Sequence, residues 1–523
     1  MHFYDVNLHN SFVFVTFAPV LNKMLSQFII KMKKRITFAA AFSFVAASVF
    51  AGGLLTNTNQ NAAFVRNFAQ EGKIDLTSIY TNPAGGAFLT EGWHLSLNSQ
   101  TAFQQRNIET TFPLFQYNTE NRDQKHRFEG EAIAPVVPSF TLSFNKEKWS
   151  LSAHFAVTGG GGKCEFDKGL GSFEALYSGR LYREVPAAVN AKLPGQVTAA
   201  LLGQGIPEAY AVALVSTGTY SSSLTGYDLD AYMRGRSYYF GLQIGGTYKI
   251  HDNLSAFVGV RGLYASCNYN GYVQDISANY SYQFNLPGAT SGNGEGTESL
   301  SDYSLSLNCD QTGFGVAPIV GMDWKINEHW NVSAKYEAPT KINLKNKSEM
   351  NNFAKAQAAD PASPLSQFED GAKVREDVPA LLAFGVEYSP IEKVRIDAAY
   401  HQFFDKASKK YADKQKLIDH NTHEFILGAE YDICKLITLS ASWETTRYGL
   451  GDAFMNDLSF NLSNNMIGGG LRINATNRLS IDLGYMCTFY NDREVTTPTA
   501  VGPKTDLYSR KNHTFGIGFN LGL

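Results

Sequence analysis

Beyond its first fifty residues the chain has no long apolar run, no surplus of either charge, few cysteines and no short motif of a catalytic or nucleotide site. Each absence excludes something. Without about twenty consecutive apolar residues after Ala51, the remainder cannot cross a membrane as a helix. With 45 Lys plus Arg against 48 Asp plus Glu, a net charge of -3, nothing favours nucleic acid as a partner. The five cysteines (Cys164, Cys267, Cys309, Cys434, Cys487) form no CxxC pair and cannot all be bridged, so one loop disulfide at most is expected, Cys267 with Cys309. Neither Gly-x-Ser-x-Gly nor His-Glu-x-x-His occurs, and the histidines are scattered. No catalytic residue, metal or cofactor is therefore expected, and no enzyme.

What is present is aromatic and glycine-rich: 36 Phe, 27 Tyr and 46 Gly, at a mean hydropathy of only -0.20. Lys31, Lys33, Lys34 and Arg35 precede an apolar stretch over 36–50, the order of charge and apolarity in a secretory leader. Val49 and Ala51 are small residues fit for a cut after Ala51, with Ala47 a second site. Residues 1–51 are accordingly expected to be a signal peptide. Its long upstream extension reads as a mis-assigned start, Met24 or Met32 being the initiator. Such a chain is exported.

Strict alternation then repeats in hairpins. Tyr238, Phe240, Leu242, Ile244, Tyr248 and Ile250 share one strand face, while Gly241, Gln243, Thr247 and Lys249 share the other. A turn at 251–253 leads into Leu254, Ala256, Val258, Val260 and Tyr264. The pattern predicts strands over 94–103, 139–144, 149–157, 238–250, 254–264, 314–326, 330–336, 382–388, 394–400, 425–433, 437–443, 467–473, 479–489 and 513–523. Connections alternate between about three to five residues and roughly 20 to 80, the rhythm of short turns at one barrel end and long loops at the other. The fold class expected is all-β: a transmembrane antiparallel barrel of fourteen strands over 94–523, closed because sheet edges cannot be satisfied in lipid.

Residues 52–93 lack this alternation and are expected to form a hatch inside the lumen. Connection 159–236 is the longest, and its part over 185–215 reads as short amphipathic helices whose apolar surface serves either a first docking of ligand or the packing of the loop on itself. Gly159, Gly160, Gly161 and Gly162 end the third strand either as a kink, which would leave a hole in the wall, or as the start of a loop. Charges expected to face the lumen, Arg261, Asp323, Lys335, Glu337, Arg395, Asp397, Glu424 and Glu430, need partners among themselves or on the hatch.

With Asn82-Pro83-Ala84 inside Tyr80-Thr-Asn-Pro-Ala-Gly-Gly86, ahead of fourteen strands, the mature chain resembles the FadL family of outer-membrane long-chain fatty acid and hydrocarbon transporters. Val136-Val-Pro138, Gly313-Phe-Gly315 and Lys341-Ile-Asn-Leu-Lys345 are further local matches. The resemblance implies passive, ligand-gated uptake of a long-chain fatty acid or other hydrophobic ligand. It implies a hatch motif at Asn82, Pro83, Ala84 and Gly85, and lateral exit where the third strand kinks at Gly159, Gly160, Gly161 and Gly162. It also places Lys341 near a ligand carboxylate. Expected partners are outer-membrane lipid and the barrel assembly machinery, and the barrel is expected to be a monomer. The alternatives are a general or aromatic-hydrocarbon channel or porin, and a surface-display barrel that transports nothing. The chain departs from the family's best-known members in carrying its longest insertion after the third strand, and from barrels generally in ending on Leu523 rather than an aromatic.

Overall fold

The computed structural model describes residues 53–361 and 363–523, so the expected leader and upstream start fall outside the described residues. Among the described residues, eighteen strands form a single sheet. Four of them, Thr290–Ser299, Asn343–Met350, Lys373–Arg375 and Arg493–Thr499, are outgrowths at the long-loop end. The remaining fourteen are the wall. They are β1 (Gly92–Thr111), β2 (Lys125–Lys146), β3 (Trp149–Phe166), β4 (Thr219–His251), β5 (Leu254–Leu286), β6 (Leu305–Lys325) and β7 (Trp330–Glu337), then β8 (Leu381–Ile391), β9 (Val394–Phe403), β10 (Ile418–Asp432), β11 (Ile437–Leu450), β12 (Asn464–Asn474), β13 (Leu479–Tyr490) and β14 (Gly502–Gly522). Each pairs antiparallel with its neighbours in chain order, and β14 returns to β1 from His94 opposite Gly522 to Thr111 opposite Thr505. The sheet thereby closes, and each expected strand falls on one of the fourteen, three of them (314–326, 425–433 and 513–523) running one residue past its end.

Alternation decides which side chain meets which medium. Leu242, Ile244, Val258, Val260, Phe314, Val316, Phe425, Leu427 and Phe515 are exposed on the outside. Between them in sequence, Gln243, Thr247, Ser255, Arg261, Asp323, Glu424 and Thr514 are buried on the inside. This inverts a soluble protein and suits a wall with lipid without and polar filling within. At the short-turn end aromatic rings meet across strands: Trp93 with Phe144 at 4.8 Å, Trp149 with Tyr248 at 4.6 Å, and Trp330 with Tyr388 at 4.2 Å. Such a girdle places amphipathic rings at a membrane interface. Among the described residues no helix is long and apolar enough to cross a membrane.

Strands β4 and β5, 33 residues each, extend far past the outward apolar positions and form an arm at the long-loop end. The connection expected over 159–236 is shortened from both sides, because β3 runs on to Phe166 and β4 starts at Thr219. Instead of several short helices, it holds one 33-residue helix, α2 (Gly171–Gly203), followed by α3 (Glu208–Ser216). The reason lies in spacing. Tyr177, Leu181, Val185, Val189, Leu193, Val197 and Leu201 recur every fourth residue and are all buried. At 100° per residue, a four-residue step advances the apolar line by about 40° each time, so the line winds around the helix and follows a twisted hairpin. It packs on Leu224, Tyr227, Val273, Ile276 and Leu286.

The expected disulfide is absent. All five cysteines are free; Cys267 stands opposite Gln311 and Cys309 opposite Tyr269, two rungs apart in the ladder.

Candidate functional site

Residues 53–91 are almost wholly buried, and their polar groups bond to the inner wall. The segment contains α1 (Ala62–Arg66) and two 3-10 turns, Leu76–Ser78 and Pro83–Phe88. Each is started by a side-chain cap that satisfies an orphan N–H. Asn61 accepts from Phe64 N, Asp75 from Thr77 N and Asn82 from Gly85 N. The Asn82-Pro83-Ala84-Gly85 stretch thus has a local explanation. Asn82 caps, Pro83 takes the first helical position where a missing N–H costs nothing, and Ala84 packs between Phe257 and Ile319. Gly85 must lack a Cβ because one would fall 2.8 Å from the Asn82 amide folded over it. That amide also donates to Lys73 O at 3.1 Å and to the Asp323 carboxylate.

The wall answers the segment group by group. Thr247 donates to Pro83 O at 3.0 Å, Ser255 to Ala84 O at 2.7 Å and Lys335 to Tyr80 O at 2.9 Å. Arg66 pairs with Glu430 at 2.6 Å and Asp482 at 2.7 Å. Lys73 lies 3.0 Å from Asp397 and 3.1 Å from Glu430, and Asp75 pairs with Arg472. His401 bridges Glu71 of the segment and Glu424 of the wall at 2.8 Å each, and Arg261 holds Glu337 at 2.6 Å beside Tyr80. All eight charges expected in the lumen find partners there. Burial alone disfavours the Lys73 ammonium, but Asp397, Glu430 and Glu387 outweigh it and hold its pKa above the ordinary range. Burial likewise works against the Asp75 carboxylate, yet the Arg472 guanidinium and the Thr77 hydrogen bonds hold it well below its usual range. Wall glycines let the backbone approach: a Cβ on Gly428 would lie 2.0 Å from Asn67 Oδ1, and one on Gly385 2.3 Å from the Glu71 Cβ.

Gly159, Gly160, Gly161 and Gly162 lie inside β3. Gly160 and Gly162 have φ of +98° and +71°, which L side chains rarely adopt. Register toward β4 shifts twice here, between Val157 and Gly159 and between Gly159 and Gly162. On the other side β3 parts from β2: pairing stops at Phe140 opposite Phe155 and resumes only at Glu131 opposite Glu165. Pro135 and Pro138 stand on the β2 side of this interval and have no N–H to donate. Outside, Ile133 and Val136 within it and Phe140 at its edge are exposed. Inside, Asn57 N donates to Thr158 O at 2.8 Å, its side chain to Val157 O at 3.1 Å, and the Leu55 carbonyl lies 1.9 Å from where a Gly159 Cβ would be. The start of the inner segment is therefore seated on the kink.

Lys341 is not brought to this site. It is exposed, whereas Thr340, Ile342 and Leu344 on either side are buried; Ile342 and Leu344 join an inner apolar cluster with Tyr239, Leu263 and Val374. Alternation turns Lys341 outward. Sequence reasoning missed Asn57 and Pro135, and took Pro138 only as part of a local family match, not as facing the glycines. It also missed Arg66, Glu71, Lys73 and Asp75, four charges within ten residues of a segment otherwise read only as polar filling.

No protein-family model matches the chain, and neither does any curated protein. Among solved structures, the crystal structure of a Pseudomonas aeruginosa FadL homologue is similar at 14% identity, covering 90% of this chain and 100% of that one, with a TM-score of 0.57. The Ralstonia pickettii toluene transporter TbuX, at 12% identity over 90% of this chain and 97% of its own, has a TM-score of 0.48. The Pseudomonas putida toluene transporter TodX, at 10% identity over 91% and 99%, also has 0.48. The likeness to the first is one of fold over nearly the whole length: this chain folds as a FadL homologue does, a fourteen-stranded barrel with its amino-terminal segment inside.

Proposed function

We propose that the chain is a FadL-type outer-membrane transporter for hydrophobic small molecules, long-chain fatty acids foremost, which enter from the long-loop side and leave sideways between β2 and β3. The observation that carries the reading is the conjunction of a filled lumen with an interrupted wall. A porin needs a lumen that conducts water, and here residues 53–91 occupy it with buried, paired charges. The β2–β3 interval, rimmed by Ile133, Val136 and Phe140, offers a greasy molecule a way into the bilayer. Movement down this route draws on partitioning into lipid and needs no other energy source. Residues 55–57, bonded across the kink, are the part that must yield when a ligand passes. The gating role of Asn82, Pro83, Ala84 and Gly85 is then to hold the hatch as one body while its leading end moves.

The test is uptake of radiolabelled hexadecanoate and of toluene by cells with and without the gene, together with planar-bilayer conductance of the purified protein. Gene-dependent uptake of hexadecanoate with a near-closed conductance is expected. Large open conductance would favour a porin, toluene uptake without hexadecanoate an aromatic-hydrocarbon channel, and no gene-dependent uptake of either a display barrel.

A further inference from the structure

On the outer face of the wall, lysines stand where the apolar band ends. Phe314, Val316, Val320, Met322 and Trp324 of β6 are exposed to the outside. The run from Trp324 to Phe314, about ten residues at a rise of about 3.3 Å and a tilt of about 40°, spans about 25 Å, the height of a barrel's lipid-facing band. Phe314 therefore marks the bilayer's edge on the long-loop side. The next two outward positions of β6 are Thr312 and Asp310, and Lys345 and Lys347 of the strand Asn343–Met350 stand directly opposite them. Lys373 of the strand Lys373–Arg375 stands opposite Lys345 in turn. Directly opposed residues share a face, and the neighbouring Leu344 and Val374 are buried inside. Lys341, exposed and four residues before Lys345, turns to the same outer side.

The chain does not match these charges from within. Lys345 and Lys373 are like charges on one rung, an arrangement that destabilises a ladder. All four lysines are exposed, and among the described residues none of them is paired with a carboxylate. Arg375, the other basic group of its strand, is held by Asp377 at 2.5 Å. Asp310 accepts from Asn268 at 2.9 Å, and Glu349 lies one outward position farther from the bilayer than Lys347. The rung of Thr312, Lys345 and Lys373, next to Phe314, thus has two ammonium groups and no carboxylate.

Level and charge together name the occupant. This rung begins one outward step from Phe314, about 7 Å along the strand. A lysine stem is long enough to lie on apolar side chains while its ammonium reaches the interface. A molecule that meets both surfaces needs acyl chains for Phe314 and Val316 and negative charge just above them. An anionic lipid has both, and basic side chains at a bilayer surface attract its head group. Free phosphate has the charge and lacks the chains.

We propose that Lys341, Lys345, Lys347 and Lys373 seat the phosphate groups of an acylated lipid of the outer leaflet, with its chains on Phe314 and Val316. The inference rests on the outer-membrane placement and is independent of what the barrel carries. It gives Lys341 a partner outside the wall in place of a ligand carboxylate within it. Ammonium groups suit the task, since as compact point charges they need no fixed geometry toward a phosphate.

The full-length protein in uncharged detergent is titrated with diphosphoryl lipid A, with the same acylated disaccharide freed of its phosphates, and with inorganic phosphate. The proteins are wild type, K345Q/K347Q/K373Q, K345R/K347R/K373R and, at the short turns, K393Q/K435Q. Wild type should bind the phosphorylated lipid at least about 10-fold more tightly than the phosphate-free one. The triple glutamine variant should lose about 100-fold toward the phosphorylated lipid and nothing toward the other, while the arginine variant and K393Q/K435Q should bind as wild type does. If the triple glutamine variant fails to give the folded, heat-modifiable band, K373Q carries the test, with a loss of about 5-fold. Equal binding of the two lipids by wild type, glutamine variants that bind as wild type does, or inorganic phosphate bound as tightly as the lipid overturns the site and leaves the membrane placement standing. Wild type that fails to insert into phosphatidylcholine vesicles overturns both.

Discussion

At the residue scale, the hatch is held by charges whose ionic partners come from five different strands of the wall. Arg66 alone reaches Glu430 and Asp482, and Arg472 links Asp482 to Asp75. Removing one member of such a buried set leaves the other uncompensated, which costs about 3–5 kcal/mol. Asp75 is the informative member because its pKa is depressed by Arg472. A carboxylate with a lowered folded-state pKa contributes stability that is present above its unfolded value of about 3.9 and is lost as pH falls toward the folded value. Asp75→Asn should therefore be less stable than wild type at pH 7, on the order of 2 kcal/mol, and the difference should shrink toward pH 3. The midpoint of heat modification at both pH values measures this, and a pH-independent difference would contradict the role given to the Asp75 charge. Lys73 has the opposite sign: its raised pKa gives stability that is full below about pH 10 and is lost only as pH rises further. Between the two limits Asp75 and Lys73 both keep their charges and their partners.

At the element scale, what could be read from sequence tracked periodicity. Period-two runs located all fourteen wall strands, since a one-residue slip would put Val258 and Val260 in the lumen and Arg261 in lipid. The arm was not legible. Past Tyr264 the alternation dissolves as both faces of β4 and β5 become covered or polar, and the row from Tyr177 to Leu201 recurs every 4.0 residues, not 3.6. A search for lines at that spacing would have found one helix where shorter pieces were expected. Val189 sits in that row among Leu224, Tyr227 and Val273. Val189→Asp would bury an unpaired carboxylate there, at a cost of about 3 kcal/mol or more. Hydrogen exchange should then rise across 171–216 and the outer halves of β4 and β5, with the wall strands unchanged. Unaltered exchange in the helix would contradict the packing described. The β3 kink was legible only as an alternative to a loop, because four glycines mark a bend equally well in either setting; Pro135 and Pro138, in the facing strand, were the discriminating signal.

At the scale of the whole molecule, the wall and the hatch have one common logic. Inward positions are polar because a polar segment fills the barrel, and outward positions are apolar because lipid surrounds it. Among the described residues, the pairing of neighbouring wall strands is interrupted where glycines on β3 face prolines on β2. The central claim is that this incompleteness is the exit. Below the gap, Phe140 faces Phe155, and three residues further along each strand Val137 and Thr158 stand on its two sides. The variant V137C/T158C would staple the gap shut when oxidised. The rate of hexadecanoate uptake by cells carrying it, measured oxidised and again after reduction, tests the claim most directly. The account predicts uptake near the gene-free background when oxidised and restored to the wild-type rate on reduction, with unchanged amounts of folded barrel. Wild-type uptake through the cross-linked barrel would contradict it.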